Sequence, residues 1–462
     1  MKKQYFVSFF SVSLALMSML SLNCRAKQGC PIVSHSIIKS DTLKSENISS
    51  FIDRFLPIPS HGRLSKNVWG ASNVIPRDSH NGIESPDFSY WGGNILRGDD
   101  GKYHLFVARW PQNIKHREKS GHVCWWDSDV VHAVSDKACG PYSPIDVIGK
   151  GHNPEIYRLK DGRYVIGVMG AKAYIANSLN GPWKQIETTF DFIDKKQNET
   201  NRTYLMKDDG SILMMNKEGH LFTCAAGDVE HFVEIPNVPV VYVRKNGSHE
   251  EDPVIWKDEI GYNLIVNDCR GRKGYYITSK DGLKWNYEEG LAYTPDIVYH
   301  EDGSAESWYK LERPKVLLDQ YGRVTHMNFA AIDTLKNEDR ANDNHSSKNI
   351  VVPLLVPRRL KLLNKMPVNE STHLIRVEIL AEEGFNPQND VIISSLRFGS
   401  TSVINSGNGS RAIRTRITKD GLLVTFRGKG TGLSDKDYKA KLIGKNKDNK
   451  PLFGFVRIID WE

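Results

Sequence analysis

Pairs of short apolar runs, joined by an Asp-Gly turn or its equivalent, recur along the middle of the chain. Each unit starts with a few polar residues, runs as an apolar strand, turns, and returns as a second apolar strand. The five units are WGGNILRGDDGKYHLFVA from Trp91, GHNPEIYRLKDGRYVIGV from Gly151, TNRTYLMKDDGSILMMN from Thr200, EEDPVIWKDEIGYNLIVN from Glu250 and LERPKVLLDQYGRVTHMNF from Leu311. Alternating apolar runs around such turns predict β-hairpins.

A second element follows four of the five hairpins: AVSDKACGPY, IANSLNGPW, AAGDVEHF and ITSKDGLKW. It combines a strand of small residues, a turn and an aromatic residue. Each unit therefore has three or four antiparallel strands, and the units repeat about every 50 to 60 residues. Serial units of this kind predict a five-bladed β-propeller from about residue 69 to residue 357. Unrelated hairpins in a sandwich are the alternative, which five in-phase segments disfavour.

The flanking segments have different patterns. Residues 27–68 are a mixed lead-in that closes or decorates the propeller, and the polar segment Lys336–Asn349 is predicted to be a surface loop. From about Leu360 the strands THLIRVEILAEEGF, RAIRTRITKDGLLVTFRG and KPLFGFVRIID predict a small C-terminal β-sandwich over residues 358–462. The predicted fold class is all-β, and we find no catalytic constellation in the C-terminal domain.

The N-terminus has the pattern of an export signal over residues 1–26. Lys2 and Lys3 precede an apolar run that extends from Tyr5 to Leu22. LSLNC, ending at Cys24, resembles a loose lipoprotein box; ordinary cleavage near Ala26 and an uncleaved anchor are the alternatives. We therefore expect an exported protein, in the periplasm, on the cell surface or secreted, with membrane attachment through a lipidated Cys24 as one outcome.

The composition narrows the classes of partner. The net charge is +7 and the Lys and Arg residues are scattered, so no nucleic-acid partner is expected. The 10 Trp and 18 Tyr suit either core packing or sugar stacking. The cysteines lack metal-ligand spacing; Cys124 and Cys139 either form a disulfide or remain buried thiols, and Cys30 has no assigned partner. We expect no required cofactor and no metal-ligand set, although a structural divalent cation such as calcium would be accommodated in the channel.

In a propeller, the residues that enter the inner strands converge at one end of the central channel. The repeat phase gives five pairs: Trp91 and Gly92, His152 and Asn153, Asn201 and Arg202, Glu251 and Asp252, and Glu312 and Arg313. Burying so many polar groups without a role is costly, and convergent polar groups in a concavity indicate a functional site.

Three carboxylates in this set, Glu251, Asp252 and Glu312, are the predicted catalytic groups. Glycoside hydrolysis needs two carboxyl groups at the scissile bond, and crowding of like charges would raise the pKa of one of them. The structural alternative is an acidic strand entry that is solvated or paired with Arg202 or Arg313. His326 is predicted to be a core histidine.

The predicted substrate-binding residues surround these acids. Asp268 could also simply start a turn, and Arg109, with Trp110, could hold a sugar or pack. The full set is Trp91, Arg109, His152, Asn153, Arg202, Asp268 and Arg313.

Several phrases together resemble the five-bladed propeller glycoside hydrolases of families 43, 62, 32 and 117. They are YWGGNILRGDDGKYHLFVARW, GHNPEIY, EEDPVIW, SKDGLKW and ERPKVLLDQYGRVTH, between about residues 91 and 331. Family 43 places a general-base Asp in the first blade, a second Asp in the third and a general-acid Glu in the fourth. The resemblance implies that Glu251 is the acid. Gly92 and Arg202 stand where the two Asp residues are expected, so the base is not identified.

The candidates for that base are Asp87, Asp127, Asp268 and Glu312. The resemblance implies an exported glycoside hydrolase that acts on a polysaccharide or oligosaccharide. Because the two Asp residues are missing, a carbohydrate-binding propeller without catalysis is the alternative. A structural or protein-interaction propeller is a third hypothesis, which the polar ring disfavours.

Overall fold

The computed structural model describes residues 48–113, 115–116, 119–194, 200–242 and 247–460. The predicted export signal, Cys24, Cys30 and the first part of the lead-in lie outside the described residues. No helix within the described ranges is long and apolar enough to span a membrane.

Five β-sheets form the propeller, each with its inner strand first. The first contains β1 (Phe88–Arg97), β2 (Tyr103–Pro111), β5 (Asp129–Ser135) and β6 (Ser143–Lys150), with a small hairpin of β3 (Lys115–His116) and β4 (Lys119–Ser120) between β2 and β5. The second contains β7 (Glu155–Arg158), β8 (Tyr164–Gly167), β9 (Lys172–Ala176) and β10 (Lys184–Glu187). A strand before the third blade, β11 (Thr189–Asp191), pairs in parallel with the outermost strand of that blade.

The third blade continues with β12 (Thr203–Met206), β13 (Ile212–Met215), β14 (Leu221–Cys224) and β15 (His231–Glu234). The fourth contains β16 (Glu250–Lys257), β17 (Tyr262–Asp268), β18 (Lys273–Ser279) and β19 (Asn286–Tyr287). The fifth contains β20 (Lys310–Leu318), β21 (Val324–Ile332) and β22 (Ser347–Pro353). The predicted five-bladed propeller is confirmed, and each predicted hairpin is the inner pair of strands of one blade.

The C-terminal domain is also all-β, as predicted. Its strands are β23 (Arg358–Leu362), β24 (Leu374–Leu380), β25 (Arg397–Gly399), β26 (Ser410–Ile417), β27 (Gly421–Arg427), β28 (Lys439–Lys445) and β29 (Pro451–Arg457), with the short helices α1 (Pro387–Asp390) and α2 (Thr401–Asn405). The seven strands join into one closed sheet in the order β23-β24-β27-β26-β25-β28-β29. Alternate residues of β24 and β27 form its buried core. Four short 3₁₀ helices complete the described elements: Ile52–Arg54, Gly121–Asp127, Pro295–Ile297 and Ile393–Ser395.

The segment before the first blade packs on the fourth and fifth blades. Phe51, Phe55 and Ile58 are buried in a cluster with residues of β16 and β21. Ile83 forms a bridge with Asn349 at the edge of β22. The prediction of a surface loop over Lys336–Asn349 was wrong at its end, because Ser347, Lys348 and Asn349 start the buried strand β22.

At equivalent positions of the five blades, within the inner strand or two residues before it, one residue has a left-handed backbone conformation. These residues are Gly92 (φ 62°), Asn153 (φ 51°), Asn201 (φ 50°), Asp252 (φ 58°) and Arg313 (φ 52°). In blades one, four and five the strand register shifts at this point, so that extra residues bulge toward the channel. For a residue other than glycine this conformation costs roughly 1–2 kcal/mol. The predicted pair of the third blade was therefore wrong by one residue. The pair equivalent to those of the other blades is Thr200 and Asn201, not Asn201 and Arg202.

Two residues beyond the left-handed position, polar side chains link neighbouring blades. The carboxylate of Glu155 accepts hydrogen bonds from Thr203 Oγ1 (2.8 Å) and Tyr204 N (3.1 Å), and it pairs with the buried ammonium group of Lys315. Lys315 also donates to Pro253 O at 3.2 Å. This buried layer connects blades two, three, four and five.

We expect Lys315→Met to destabilise the protein by about 3–5 kcal/mol, because it leaves Glu155 as an unpaired buried charge. Urea unfolding followed by tryptophan fluorescence would measure this. The double variant Lys315→Met/Glu155→Gln should recover most of the loss, whereas Lys184→Met, at an exposed position, should change little. If Lys315→Met unfolded at the same midpoint urea concentration as the native protein, the role of this pair would be contradicted.

Candidate active site

The left-handed residues contact one another around the channel axis. Asn153 Nδ2 donates to Asn201 Oδ1 (2.8 Å), and Asn201 Nδ2 donates to Asp252 Oδ1 (2.7 Å). Arg313 Nη1 donates to the same Asp252 oxygen at 2.8 Å. A Cβ on Gly92 would lie 3.1 Å from Asn153 Oδ1 and 3.6 Å from Arg313 Nε, so the glycine completes the circle without a side chain. We call these five residues the axial ring.

Asp252, a predicted catalytic residue, is held firmly within the axial ring. Besides the bonds above, its Oδ2 accepts from Arg313 N (3.4 Å) and Asn267 Nδ2 (3.5 Å). Burial alone would raise the pKa of Asp252, but the Arg313 guanidinium outweighs burial and lowers this pKa below its ordinary value. The expected upward shift therefore does not occur at Asp252, whose hydrogen bonds give it a structural role.

Glu251 and Glu312 immediately precede the ring residues of blades four and five. Their inner strands are neighbours in the propeller, so the two side chains converge. One carboxylate oxygen each of Glu251, Asp252 and Glu312 lie within 4.8 Å of one another. The structure therefore brings the three predicted acids together.

Three lysines surround the two glutamates. Lys217 Nζ lies 2.6 Å from Glu251 Oε2, while Lys310 Nζ and Lys336 Nζ lie 2.8 Å and 2.5 Å from the two oxygens of Glu312. Burial alone would lower the pKa of Lys336, but the Glu312 carboxylate outweighs burial and raises it. We call these two glutamates and three lysines the channel-mouth cluster.

Aromatic rings form the wall of the site on the side of the first and second blades. The His122 ring meets Trp91 and Trp110 edge-on at 4.7 and 5.4 Å, and the His152 ring lies 4.7 Å from Trp125. Burial, reinforced by nearby cations such as Lys336 and Arg313, holds the pKa of both histidines well below the ordinary value. At neutral pH both imidazoles are therefore uncharged parts of an aromatic wall.

The 3₁₀ helix Gly121–Asp127 positions this wall. It follows β4 and bears Trp125 and Trp126, whose rings lie 5.9 Å apart. Trp126 is 51% exposed, so its ring is accessible from solvent. Asp339 contacts the start of this helix, where its backbone oxygen accepts a hydrogen bond from His122 N (3.3 Å). Its carboxylate accepts a hydrogen bond from Gln112 Nε2 (2.7 Å), which follows β2.

Four of the predicted substrate-binding residues, Trp91, His152, Asn153 and Arg313, line this site. The Lys336 ammonium group lies 4.6 Å from the centre of the Trp91 ring. Arg313 is 1% exposed, and its Nε and Nη2 have no hydrogen-bond partner among the described residues. These donors and the aromatic wall are the groups available to a ligand.

The structure places the other three predicted substrate-binding residues elsewhere. Arg109 stacks on Phe88, on the sheet face opposite Trp91, because adjacent strand residues alternate. Arg202 donates to Gly170 O at 2.9 Å and stacks on Phe190. Asp268 accepts from His249 N and Gly271 N, both at 3.0 Å, as expected of a turn-starting aspartate.

Other residues that the sequence analysis singled out lie away from the channel-mouth cluster. Asp87 is exposed before the first blade. His326 is partly buried, its Nδ1 lies 3.0 Å from Thr325 Oγ1, and burial lowers its pKa to about 4. Cys124 and Cys139 lie in separate hydrophobic clusters and are not joined by a disulfide.

The carboxylates at the channel mouth do not suit a calcium ion. Each of them is already paired with an ammonium or guanidinium group. A second set of candidate ligands, His249, Glu251 and Cys269, includes a thiol whose pKa is raised to about 12 by burial and by Glu251. Hard divalent cations favour oxygen ligands that are free of competing cations.

A cavity of about 810 Å³ opens at the opposite end of the channel. It is lined by the later residues of the five inner strands and by Glu382 and Glu383 of the C-terminal domain. Glu155 and Lys315, which line it, are paired with each other, and Arg97 and Arg158 add only positive charge to its inner-strand lining. The convergent glutamates lie at the channel mouth and do not line this cavity.

The sequence reasoning missed the lysines and His122. Lys310 lies two residues before Glu312 on the same strand, so strand alternation could have placed both side chains on the same face. Lys217 follows the second strand of the third blade, and Lys336 starts the segment that was predicted to be a surface loop. Strand phase identifies residues that enter inner strands, but it gives no information on long connections that fold back over the channel.

The sequence matches no protein-family model and no curated protein. The structure is similar to a family 117 glycoside hydrolase of the marine bacterium Zobellia galactanivorans, with 12% identity and a TM-score of 0.45 over 60% of this chain and 88% of that chain. It is also similar to the catalytic domain of a GH62 α-L-arabinofuranosidase from Coprinopsis cinerea, with 12% identity and a TM-score of 0.45 over 66% and 98% of the two chains. A GH43_1 enzyme from Xanthomonas citri has 10% identity and a TM-score of 0.40 over 58% and 89%.

Asp339 should make stability depend on pH. Burial raises its pKa to about 7, so the folded protein binds this proton more tightly than the unfolded chain does. Stability is therefore expected to fall as pH rises from about 4 to 7, by on the order of 3–4 kcal/mol for this group. Urea unfolding at several pH values should show a flatter profile for Asp339→Asn. The exposed control Asp136→Asn should follow the native profile; an unchanged slope in Asp339→Asn would contradict the assignment.

Proposed function

We propose that this chain is an exported glycoside hydrolase that cleaves a glycosidic bond of a polysaccharide or oligosaccharide at the channel mouth. The observation that supports this proposal is the convergence of Glu251 and Glu312, from equivalent positions of adjacent blades, with oxygens within 4.8 Å. Two carboxyl groups flanking one bond are what glycoside hydrolysis requires.

The spacing of the two glutamates favours a retaining reaction. Retaining enzymes hold the two carboxyl groups roughly 5–5.5 Å apart, whereas inverting enzymes need roughly 6.5–9.5 Å to admit a water molecule between them. The nearest oxygens of Glu251 and Glu312 lie within 4.8 Å of each other, which is compatible with the retaining separation. Asp252 is not part of the proposed pair, because four hydrogen bonds occupy its carboxylate.

In the proposed reaction, Glu251 protonates the glycosidic oxygen while a carboxylate oxygen of Glu312 bonds to the anomeric carbon and the bond to the leaving sugar breaks. Glu251, now ionised, then takes a proton from water. The water oxygen bonds to the anomeric carbon as the ester bond to Glu312 breaks. Lys310 and Lys336 hold the Glu312 carboxylate in position, and Lys217 must separate from Glu251 when Glu251 is protonated.

The aromatic wall supplies the surface for the sugar. Sugar rings pack their apolar faces on aromatic side chains, and Trp125 with Trp126 presents such a face beside the cluster. The unpartnered guanidinium donors of Arg313 are available to hydroxyl groups at the floor of the site.

A second candidate function, carbohydrate binding without turnover, is favoured by one observation. Both glutamates are ion-paired with lysines, and no side chain extends from the first-blade position, which is Gly92. In that case the cluster would only hold hydroxyl groups.

The two candidates differ in the behaviour of glutamate variants. We expect Glu251→Gln and Glu312→Gln each to lower kcat by about 10³-fold or more, because each removes one of the two catalytic carboxyl groups. Release of reducing ends from a panel of oligosaccharides would measure kcat, and NMR of the first-formed anomer would report retention.

The exposed control Glu301→Gln should retain native activity. A native protein that binds oligosaccharides in calorimetry but releases no product would establish the second candidate. Native-like turnover in both glutamate variants would contradict the proposed catalytic pair, and inversion of the anomer would contradict the retaining geometry.

Trp126 is expected to act in substrate binding alone. Loss of its ring in Trp126→Ala should raise KM about tenfold and leave kcat within about twofold, because stacking on a remote sugar contributes equally to the ground and transition states. Trp183→Ala, at a partly buried tryptophan of the second blade, tests whether any tryptophan loss has this effect. A fall in kcat with unchanged KM in Trp126→Ala would contradict the assignment.

A further inference from the structure

The net positive charge of the chain resides in its C-terminal domain. Residues 358–462 contain 19 Lys and Arg and 11 Asp and Glu, a net charge of +8. Residues 1–357 contain 43 and 44 of these residues, a net charge of −1. The +7 of the whole chain thus combines a nearly neutral N-terminal part with a basic domain. Such an asymmetry indicates an anionic partner for the basic part.

The arginines of this domain gather on the outside of its closed sheet. In β24 and β27, the alternating residues Ile375, Val377, Val424 and Phe426 fill the core, so the residues between them point outward. Arg376, Thr425 and Arg414 are register partners across β24, β27 and β26 and form one outward row. Further arginines flank this row on β25, β26 and β27. We call the whole set the arginine face: Arg376, Arg397, Arg411, Arg414, Arg416 and Arg427.

These arginines have no acidic partners in the described part of the chain. The ion pairs described for the domain involve other cations, among them Arg359, Lys439 and Lys447, and Arg323 of the propeller, which pairs with Glu382. Glu378, an acid on the same sheet face, is buried and accepts from Thr418 Oγ1. No ion pair among the described residues therefore neutralises the positive charge of the arginine face.

The arrangement also places like charges in direct opposition. Arg397 is the register partner of Arg411, and burial together with the charge of Arg411 lowers the pKa of Arg397. Like charges directly opposite each other destabilise a sheet. A bound anion between the two guanidinium groups would remove this repulsion, so the pair gains most from an anionic ligand.

Guanidinium groups suit carboxylate and sulfate in particular, because their planar fork donates two parallel hydrogen bonds to such groups. Arg414 and Arg416 are two residues apart on one strand, roughly 7 Å, and Arg376 and Arg414 are two strands apart, roughly 10 Å. Leu423 and Thr425, the register partners of Arg416 and Arg414, are almost fully buried beneath the arginine side chains. The arginines thus form an extended series of charges on the outside of the closed sheet, which suits a linear polymer with serial negative groups.

We propose that the arginine face binds a linear anionic polysaccharide through its carboxylate or sulfate groups. The anionic character of the ligand follows from the arginines alone, whereas its being a polysaccharide rests on the proposed function of the propeller. The channel-mouth cluster also contains more cations than anions, with three lysines and two glutamates. The domain would hold the charged chain while the propeller acts on it.

The test compares the full chain with Arg376→Gln/Arg414→Gln/Arg416→Gln in binding assays without turnover. The probes are polygalacturonate, κ-carrageenan, neutral agarose, a 20-base-pair DNA duplex, and vesicles of phosphatidylcholine with 30% phosphatidylserine. We expect the native chain to bind at least one of the two anionic polysaccharides more tightly than every other probe. We expect the triple variant to bind it about tenfold or more weakly, with a shallower dependence on salt.

The matched control is Lys365→Gln/Lys436→Gln/Lys450→Gln, which removes the same charge from exposed lysines of the same domain. It should bind nearly as the native chain does, and both triple variants should keep the native unfolding temperature. Binding to polygalacturonate alone would identify a carboxylate ligand, and binding to κ-carrageenan alone a sulfate ligand.

Equal losses in the two triple variants would overturn the proposal, as would tighter binding to DNA or to vesicles, or no binding to either anionic polysaccharide. These outcomes are independent of hydrolysis. A chain that binds polygalacturonate or κ-carrageenan through the arginine face but releases no product would refute the proposed activity and leave the arginine face in place.

Discussion

The site depends on one backbone constraint, the left-handed residue at or just before the start of the inner strand of each blade. Without it, a regular strand would place successive side chains alternately on the two sheet faces and would pass the channel axis without turning into it. The left-handed conformation turns one residue per blade to the axis, where side chains of neighbouring blades can bond to one another. The residue before each bulge is thereby raised to the channel mouth, which is why Glu251 and Glu312 meet although about 60 residues separate them.

The identities of the ring residues follow from this constraint. Glycine adopts the conformation freely and asparagine tolerates it, so Gly92, Asn153 and Asn201 need little compensation. Asp252 and Arg313 are less suited to it, and their mutual ion pair at 2.8 Å holds both in place. An acidic residue beside Glu251 is thus consistent with ring closure and does not require a catalytic role. The crowding of Glu250, Glu251 and Asp252 reflects separate tasks: Glu250 lies at the strand edge opposite Asp268, Glu251 faces the mouth and Asp252 closes the ring.

Much of the fold could be predicted from the sequence, because each blade repeats the same hairpin with its turn residues in phase. The ring was predictable for the same reason, except in the third blade, where Thr-Asn-Arg offers two polar residues and only backbone geometry distinguishes Asn201 from Arg202. The lysines were not predictable. Lys217 and Lys336 reach the site from connections whose paths depend on tertiary packing, and local pattern does not encode those paths. Likewise, the scattered arginines of residues 376–427 become one face only when strand register aligns them.

The electrostatics of the two domains complement each other in a specific way. At the channel mouth, every carboxylate is matched by a nearby cation, so charge there is nearly balanced and a substrate must compete with existing ion pairs. On the arginine face nothing is matched, so an anion gains attraction there without breaking any ion pair. Because the exchange of ion pairs in a buried site is costly and attraction to an exposed face is not, first contact with an anionic chain would occur on the C-terminal domain. The propeller could then be selective for sugar geometry while the neighbouring domain supplies most of the affinity.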